Sequence, residues 1–289
     1  MKKNKWYIKH IFIFCFMNTL YAQDNGLIER AWDFGIGIGY GEQSNPFIGA
    51  DNVPTYLTFN VAIYGKRLFF DNGDFGFTLV DRESYGLNLI ATYSSERIYY
   101  SFFNTLGLVS PDVGGVSPRP PDLPVDVVPI DIPIDPGLIL FDLDLPDRDF
   151  AVNFGFELLW NKPFGNIQIQ ALTDVSNKHN GQEISIDYSK PWGRGRWLFQ
   201  PNLGVSWKSS GLVDYYYGLD PSSSELNFSY QGGNVTNFSA GLLSSYRINS
   251  RVSLVASIKY TRFGSSISSS PLVAENFTRS IFTGIFYRF

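Results

Sequence analysis

The residue pair most suited to catalysis is His179 with Ser176, because a histidine near a hydroxyl is the core of a nucleophilic catalytic site. A lipid-cleaving hydrolase would need this pair together with a polar group that orients the imidazole. His179 lies in a tight loop that ends at Asn180 and Gly181, however, and a polar residue in such a turn often serves only to fix its conformation. The sequence therefore predicts no catalytic residue.

The chain contains few residues of the types that bind metals or cofactors. The sequence contains 1 cysteine and 2 histidines, which are too few for a zinc site of Cys and His ligands. We expect neither a metal site nor a cofactor. A net charge of −4 and a pI near 5.2 give no basic footprint, so no nucleic-acid partner is expected.

Five charged side chains alternate with apolar neighbours and are candidates for the lining of an interior. They are Glu157, Asp187, Arg247, Lys259 and Arg288. Two interpretations stay open for them. They pair with one another across a packed lumen, or they form a charged lining that selects small solutes. The sequence favours pairing, because one buried charge alone would be costly.

Three consecutive tyrosines, Tyr215, Tyr216 and Tyr217, are candidates for contacts within an outer loop. They could form a stacking platform for a sugar. The sequence favours a second interpretation, in which they fold their loop onto the rest of the protein through aromatic packing.

The segment 105–148 differs in composition from the rest of the chain, because it contains nine of the 16 prolines and eight aspartates. Proline at this density prevents strand pairing and favours extended chain. The carboxylates could capture a cation or another ligand, but their spacing does not match a calcium-binding loop. The sequence predicts a solvated external loop.

The elements that position these residues follow from composition and patterning. The chain has 289 residues, 44% hydrophobic, 17% aromatic and 17% charged, with a mean hydropathy of −0.07. This hydropathy excludes a helical membrane protein, which needs several apolar runs of about 20 residues. The aromatic content and modest charge also argue against disorder.

The first residues have the features of an export signal. Lys2, Lys3, Lys5 and Lys9 precede a short apolar run that begins at Ile11, and a small residue, Ala22, marks the cleavage point. A lipoprotein signal would use Cys15, which lies in the middle of the apolar run rather than at its end. We predict a signal peptide at 1–22 and an exported chain at 23–289.

Alternation with a period of two runs through the exported part. One face of the first such segment carries Trp32, Phe34, Ile36, Ile38 and Tyr40, whereas the other carries Asp33, Gly35, Gly37 and Gly39. Segments beginning near positions 150, 197, 252 and 281 repeat this pattern. Each segment is therefore predicted to be a β-strand with one apolar face.

Such strands fit either a soluble sandwich or a membrane barrel. Tryptophan and tyrosine cap the apolar faces, as at a membrane interface, and the opposite faces are rich in Gly, Ser, Asn and Gln. Most segments are also long enough to cross a membrane at a tilt. The sequence therefore predicts an all-β, closed, transmembrane antiparallel up-and-down barrel in contact with outer-membrane lipid.

The segment boundaries predict about 12 strands, joined by short periplasmic turns and longer outer loops. The predicted strands are 32–41, 53–64, 67–80, 84–94, 97–104, 149–161, 164–175, 180–191, 196–208, 236–248, 251–263 and 277–289. The alternation changes phase within 67–80, which predicts a bulge at Asn72-Gly73.

Several stretches together resemble the MipA/OmpV family of outer-membrane proteins, also called the MltA-interacting protein family. They are GIGIGY at 35–40, PFIGAD at 46–51, VPTY at 53–56, RLFF at 67–70, GFTL at 76–79, DVS at 174–176, HNG at 179–181, YYYGLDP at 215–221, SPLV at 270–273 and GIFYRF at 284–289. The insert at 105–148 departs from the family pattern, so no function of that loop follows from the resemblance.

The resemblance implies an outer-membrane barrel in a Gram-negative bacterium with a non-enzymatic role. In the namesake it implies a scaffold that bridges a lytic murein transglycosylase and a murein synthase of peptidoglycan metabolism. Two other function classes stay open. One is a narrow outer-membrane channel for small solutes, motivated by the charged lining, and the other is a lipid-active enzyme that would use His179.

Overall fold

A computed structural model describes residues 31–82, 84–99, 148–220 and 229–289. The predicted signal peptide at 1–22 lies outside these residues, as does the predicted loop 105–148 except for Arg148. No helix within these ranges is long and apolar enough to cross a membrane.

The described chain is built mainly from strands, because alternating apolar and polar residues satisfy a sheet that has two different faces. The strands are β1 (Ala31–Gln43), β2 (Val53–Tyr64), β3 (Leu68–Asp71), β4 (Asp74–Asp81), β5 (Tyr85–Tyr93), β6 (Val152–Lys162), β7 (Gly165–Asp174), β8 (Gln182–Ser189), β9 (Trp192–Arg194), β10 (Trp197–Lys208), β11 (Val235–Arg247), β12 (Val252–Arg262) and β13 (Phe277–Arg288). A 3₁₀ helix spans Ser95–Tyr99, and two α-helices span Ser210–Tyr217 and Ser265–Ser268.

The strands form one antiparallel sheet that closes on itself. Neighbours in the chain are neighbours in the sheet, β1 pairs with β13, and β10 pairs with β11. Strands β8 and β9 pair with successive parts of β10 in one continuous register, so they are two pieces of one strand interrupted at Lys190 and Pro191. The described chain is therefore a closed barrel of twelve strands, which confirms the predicted fold.

Two details of the predicted strands are wrong, and their effects on the count cancel. The predicted strand 67–80 is a hairpin, in which β3 and β4 pair from Asp71↔Asp74 to Leu68↔Phe77. Asn72 and Gly73 have φ angles of 51° and 107°, as a tight two-residue turn requires, so they form a turn rather than a bulge. The predicted strand 97–104 begins instead within the 3₁₀ helix, and 100–104 lie outside the described residues.

The apolar faces point outward and the polar faces point inward. Trp32, Ile38 and Leu203 have 71%, 62% and 59% of their surface exposed, which is acceptable only if lipid covers them. Asn153 and Gln200 on the opposite faces are buried in the interior. The barrel thus presents hydrocarbon-compatible side chains to the membrane and amides to its lumen.

Connections alternate in length around the barrel, except that β3 and β4 are joined at their outer end by the two-residue turn Asn72-Gly73. At one end the strands are joined by short turns at 65–67, 82–84, 163–164, 195–196 and 248–251. At the other end lie longer loops, including 44–52, 209–234 and 263–276. Short turns face the periplasm in barrels of this kind, so the longer loops mark the outer mouth.

Candidate functional site

The outer mouth contains the main apolar cluster of the described chain. Its buried members come from three outer loops and the strand ends beside them: Phe47, Leu212, Val213, Tyr216, Tyr217, Leu219, Val235, Phe263, Ile267 and Leu272. A barrel that spans a membrane has its apolar side chains outside, so an apolar core inside the mouth indicates loops that pack on one another.

Aromatic rings join these loops across the mouth. The ring of Phe47, from the β1–β2 loop, lies 5.5 Å from Tyr217 and 6.2 Å from Tyr99. Tyr217, from the β10–β11 loop, lies 6.4 Å from Phe263 at the start of the β12–β13 loop. The backbone also contributes, because Phe47 and Val273 form an isolated β-bridge. We call these packed loops the mouth cap.

The 3₁₀ helix Ser95–Tyr99 runs beneath the mouth cap, away from its own strand. Asn45 donates a hydrogen bond of 3.1 Å from Nδ2 to the carbonyl oxygen of Tyr99. The Tyr99 hydroxyl lies 3.4 Å from Oγ1 of Thr278 in β13. Strand β5 and strand β13 are far apart in the sheet, so this segment crosses the lumen. We call it the crossing segment.

A buried ion-pair network ties the crossing segment to the wall and to the mouth cap. Glu96 accepts hydrogen bonds from the Lys208 ammonium and from the Tyr217 hydroxyl. Lys208 also lies 3.4 Å from the carboxylate of Glu183 in β8. Glu96 and Lys208 are 3% and 4% exposed, so each charge depends on the other for the stabilisation that water would otherwise supply.

The three tyrosines singled out in the sequence lie in the helix Ser210–Tyr217 and have different surroundings. Tyr216 and Tyr217 are buried in the mouth cap. Tyr215 is partly buried, with the guanidinium of Arg148 5.0 Å from its ring and the backbone N–H of Asp149 donating to its hydroxyl. The rings are thus engaged within the protein rather than arranged as an open platform.

The loop around His179 is organised by Asp174 at the end of β7. The Asp174 carboxylate accepts hydrogen bonds from the backbone N–H groups of Ser176, Lys178, His179 and Asn180, and from the Ser176 hydroxyl. The Ser176 hydroxyl therefore donates to Asp174, and no hydrogen bond joins it to His179 in the described residues.

The His179 side chain is buried and serves the fold of this loop. Its Nδ1 accepts a hydrogen bond of 2.9 Å from the N–H of Gly181. Burial lowers the pKa of the imidazole, an effect to which Lys208 adds and which the nearby carboxylates of Asp174 and Glu96 partly oppose. The centre of the imidazole ring lies 6.2 Å from the ring centre of Tyr215 and 5.9 Å from that of Tyr216.

The five charged residues predicted to line the lumen do not meet at one site. Glu157 is 5% exposed and accepts hydrogen bonds from the amides of Asn88, Gln168 and Gln170. Arg288 donates from Nε to Asp33 at 2.7 Å and so joins the last strand to the first.

The other three of these residues lie in different parts of the barrel. Asp187 in β8 and Lys259 in β12 border the lumen cavity, and each has a partner within the protein. Arg247 lies at the periplasmic end of β11 and also has a partner. Each of the five charges thus has a partner within the protein, and the five do not gather at one site.

The lumen holds a cavity of about 470 Å³ bordered mostly by neutral polar side chains. Amides such as Asn60, Asn166 and Asn202 alternate with hydroxyls such as Ser206 and Ser257. The described residues contain no group of three or more His, Cys, Asp or Glu that could hold a metal ion. The lining also includes charged residues of both signs, namely Asp33, Asp74, Glu96, Glu183, Asp187, Lys208 and Lys259.

Sequence reasoning did not identify Glu96 and Lys208, although they form the central contact of the site. Glu96 was assigned to a turn, and Lys208 to the end of a strand. The only available signal was Lys208 at an inward position, where the alternation of β10 requires a partner of opposite charge.

Comparison with known proteins places these features in a family context. The model of a family described as "MltA-interacting protein MipA" matches residues 35–289. The MltA-interacting protein of Escherichia coli (strain K12) is 25% identical over 147 residues, which cover 50% of this chain and 59% of that protein. The outer membrane protein OmpV of Vibrio cholerae is 28% identical over 110 residues, covering 38% of this chain and 43% of that protein.

These curated relatives are thus matched over less than two thirds of their length, and their names describe outer-membrane or interacting proteins. Among solved structures, OmpT of Vibrio cholerae without loop L8 has a TM-score of 0.36 and 9% identity, covering 91% of this chain and 100% of that one.

Proposed function

The chain belongs to the MipA family, and from this premise we propose that it is a structural protein that holds enzymes of murein synthesis and hydrolysis at the outer membrane. It is an outer-membrane β-barrel of a Gram-negative bacterium, as the names of its relatives and its own architecture indicate. The expected partners are a lytic murein transglycosylase and a murein synthase, by analogy with the relative named for its interaction with MltA.

The observation that carries this proposal is the packing of three outer loops on one another at the outer mouth. A scaffold needs a stable barrel and a periplasmic surface, but it needs no passage through the membrane. The mouth cap and the crossing segment lie where a channel needs an opening, and the buried pair of Glu96 and Lys208 attaches the crossing segment to the wall. Removing Glu96 would leave the buried Lys208 with only the Glu183 carboxylate, and removing Lys208 would leave the buried Glu96 with only the Tyr217 hydroxyl, so this arrangement resists opening.

The geometry around His179 supports a non-enzymatic role. A nucleophilic hydroxyl must share its proton with a base. The Ser176 hydroxyl donates instead to Asp174 at 2.6 Å, and the Nδ1 of His179 accepts from the Gly181 amide, so a neutral imidazole carries its proton on Nε2 and has no free base nitrogen. The imidazole is also buried rather than presented to lipid.

The alternative function is a narrow channel for small solutes, and the polar cavity of about 470 Å³ favours it. For solutes to pass, the crossing segment would have to leave its contacts with Asn45, Thr278 and Lys208. This requirement makes the channel the weaker proposal.

Site-specific photo-crosslinking in living cells tests the scaffold. A benzoylphenylalanine at Ser250, in the periplasmic turn between β11 and β12, should capture a murein hydrolase or synthase. The same group at Glu275, in an exposed outer loop, is the matched control and should capture neither. The proposal fails if Ser250 and the other periplasmic turns capture no murein enzyme while those enzymes are present at native levels.

A further inference from the structure

The segment 190–197 carries three cations and two tryptophans on eight residues, with no acidic residue among them. Its cations are Lys190, Arg194 and Arg196, and all three side chains are exposed. No carboxylate of the described residues pairs with any of them. Exposed cations at this density are either hydrated by water alone or bound to a partner outside the barrel.

Strand register places most of these residues on the lipid-facing side. The pairing of β8 and β9 with β10 is continuous, so Lys190, Trp192 and Arg194 share the outward face with Ile186. Gly195 adopts a φ of 62° in the turn, which allows Arg194 and Trp197 to stand directly opposite each other. Lys190 and Arg194 are therefore directed away from the lumen, and Arg196 is exposed in the turn beside them.

An aromatic platform lies beside these cations. The ring of Trp197 stacks on Phe199 at 5.6 Å and contacts Tyr246 at 4.8 Å, and Trp192 lies 5.8 Å from Phe199. Trp192 and Trp197 are 57% and 46% exposed. Amphipathic rings in such a position occupy the level of the lipid headgroups.

This level belongs to the periplasmic end of the barrel, because 195–196 is one of the short turns. The headgroups there are those of the phospholipids in the inner leaflet. Phosphate oxygens accept hydrogen bonds from guanidinium and ammonium groups alike, and an anionic headgroup leaves a net negative charge for the three cations to neutralise.

We propose that Lys190, Arg194 and Arg196, backed by Trp192 and Trp197, form a binding site for anionic phospholipids of the inner leaflet. The cations contact the phosphate, and the tryptophans contact the glycerol and upper acyl region. The site discriminates against zwitterionic lipids, whose own ammonium group competes for the phosphate and repels the arginines. Its role is independent of whether the barrel binds murein enzymes.

Native mass spectrometry of the full-length protein tests this site. The purified protein in neutral detergent is incubated with equal amounts of phosphatidylglycerol and phosphatidylethanolamine, and the retained lipids are counted. The wild type should retain phosphatidylglycerol in at least about tenfold excess, because three cations at about a fivefold preference each set an ideal upper limit of roughly a hundredfold.

Matched variants separate charge from folding. The double variant Arg194→Glu/Arg196→Glu should retain both lipids equally, whereas Arg194→Lys/Arg196→Lys should keep the preference. Arg262→Glu/Arg279→Glu reverses two exposed charges on the outer half and should also keep it. A heat-modifiable band on a gel confirms that each variant is folded.

Three outcomes overturn the proposal. They are equal retention of both lipids by the wild type, an unchanged preference in the folded double glutamate variant, and loss of the preference in the lysine variant. A loss of preference in the outer-half control would also count against it, because the effect would then follow net charge rather than this site.

Discussion

The Tyr99 hydroxyl lies 3.4 Å from Oγ1 of Thr278, although β4, β3, β2 and β1 separate their strands by the shorter way around the barrel. A contact between such distant parts of the wall is possible only inside the lumen. The crossing segment therefore spans the lumen beneath the outer mouth, and the mouth cap lies on top of it.

Replacing Glu96 by glutamine should weaken the attachment of the crossing segment to the barrel wall. The substitution leaves Lys208 buried with only the Glu183 carboxylate at 3.4 Å. Removal of one partner from a buried ion pair costs on the order of 3 kcal/mol. We expect Glu96→Gln to lower the free energy of unfolding by about this amount, measured by urea titration of tryptophan fluorescence in phospholipid vesicles.

The matched control for this change is Glu275→Gln, at an exposed position of an outer loop. Exposed substitutions of this kind usually change stability by less than about 0.5 kcal/mol. Equal stabilities of Glu96→Gln and Glu275→Gln would contradict the assignment of the buried pair.

Gly39 in β1 should not tolerate a side chain. It pairs with Gly284 of β13, and a Cβ at Gly39 would lie 2.1 Å from the carbonyl oxygen of Thr283. Because that oxygen belongs to the backbone of the closing strand, Gly39→Ala should destabilise the barrel by about 1–3 kcal/mol. Thermal unfolding followed by gel mobility measures this effect.

Gly86 in β5 is the control for this substitution, since a Cβ there would find its nearest atom at 3.8 Å. An alanine at that position should be neutral or should stabilise by up to about 1 kcal/mol. If Gly39→Ala were as stable as Gly86→Ala, the close approach of β1 and β13 would be wrong.

The loop that contains His179 should become less stable in mild acid. Burial lowers the pKa of His179 from its ordinary 6.5, and Lys208 lowers it further, whereas Asp174 and Glu96 oppose the effect. The unfolded loop therefore binds a proton more readily than the folded loop as the pH falls below about 6.5, so stability present above this pH is lost on acidification.

Hydrogen exchange at the Gly181 amide measures this loss, because that N–H donates to the His179 Nδ1. Its protection, corrected for the intrinsic rate, should decrease between about pH 7 and pH 5 in the wild type and stay constant in His179→Gln. A decrease of equal size in both proteins would assign the pH dependence to another group.

Much of the barrel could be predicted because the alternation of apolar and polar residues shows directly which face of each strand meets lipid. The failures have local physical causes. An Asn-Gly pair flanked by apolar residues is the strongest short signal for a hairpin, and the change of phase across Asn72 and Gly73 is what a two-residue turn produces. A bulge changes the phase in the same way, so the phase change alone does not separate a bulge from the turn that follows the short strand Leu68–Asp71.

The crossing segment could not be predicted from the same pattern. Ser95–Tyr99 follows β5 without a break in composition, and its direction depends on Asn45, Thr278 and Lys208, which are distant in sequence. Tertiary contacts of this kind override local propensity. The same reason explains why the amide partners of Glu157 were not foreseen, whereas its inward direction followed from the strand period.

Tyr216 and Tyr217 are buried in the mouth cap, and a role for the three tyrosines in outer-loop contacts stays a prediction from the sequence. The signal peptide and most of the segment 105–148 also remain predictions from the sequence, because they lie outside the described residues.

The conductance of the purified wild-type protein in a planar bilayer tests most directly whether the lumen is closed by its own loops. Protein whose insertion is confirmed should produce no discrete conductance steps across the accessible voltage range, whereas a variant with 95–99 replaced by glycine and serine should produce them. Regular single-channel steps from the wild-type barrel would contradict the account, because they would show that the crossing segment and the mouth cap leave a path for ions.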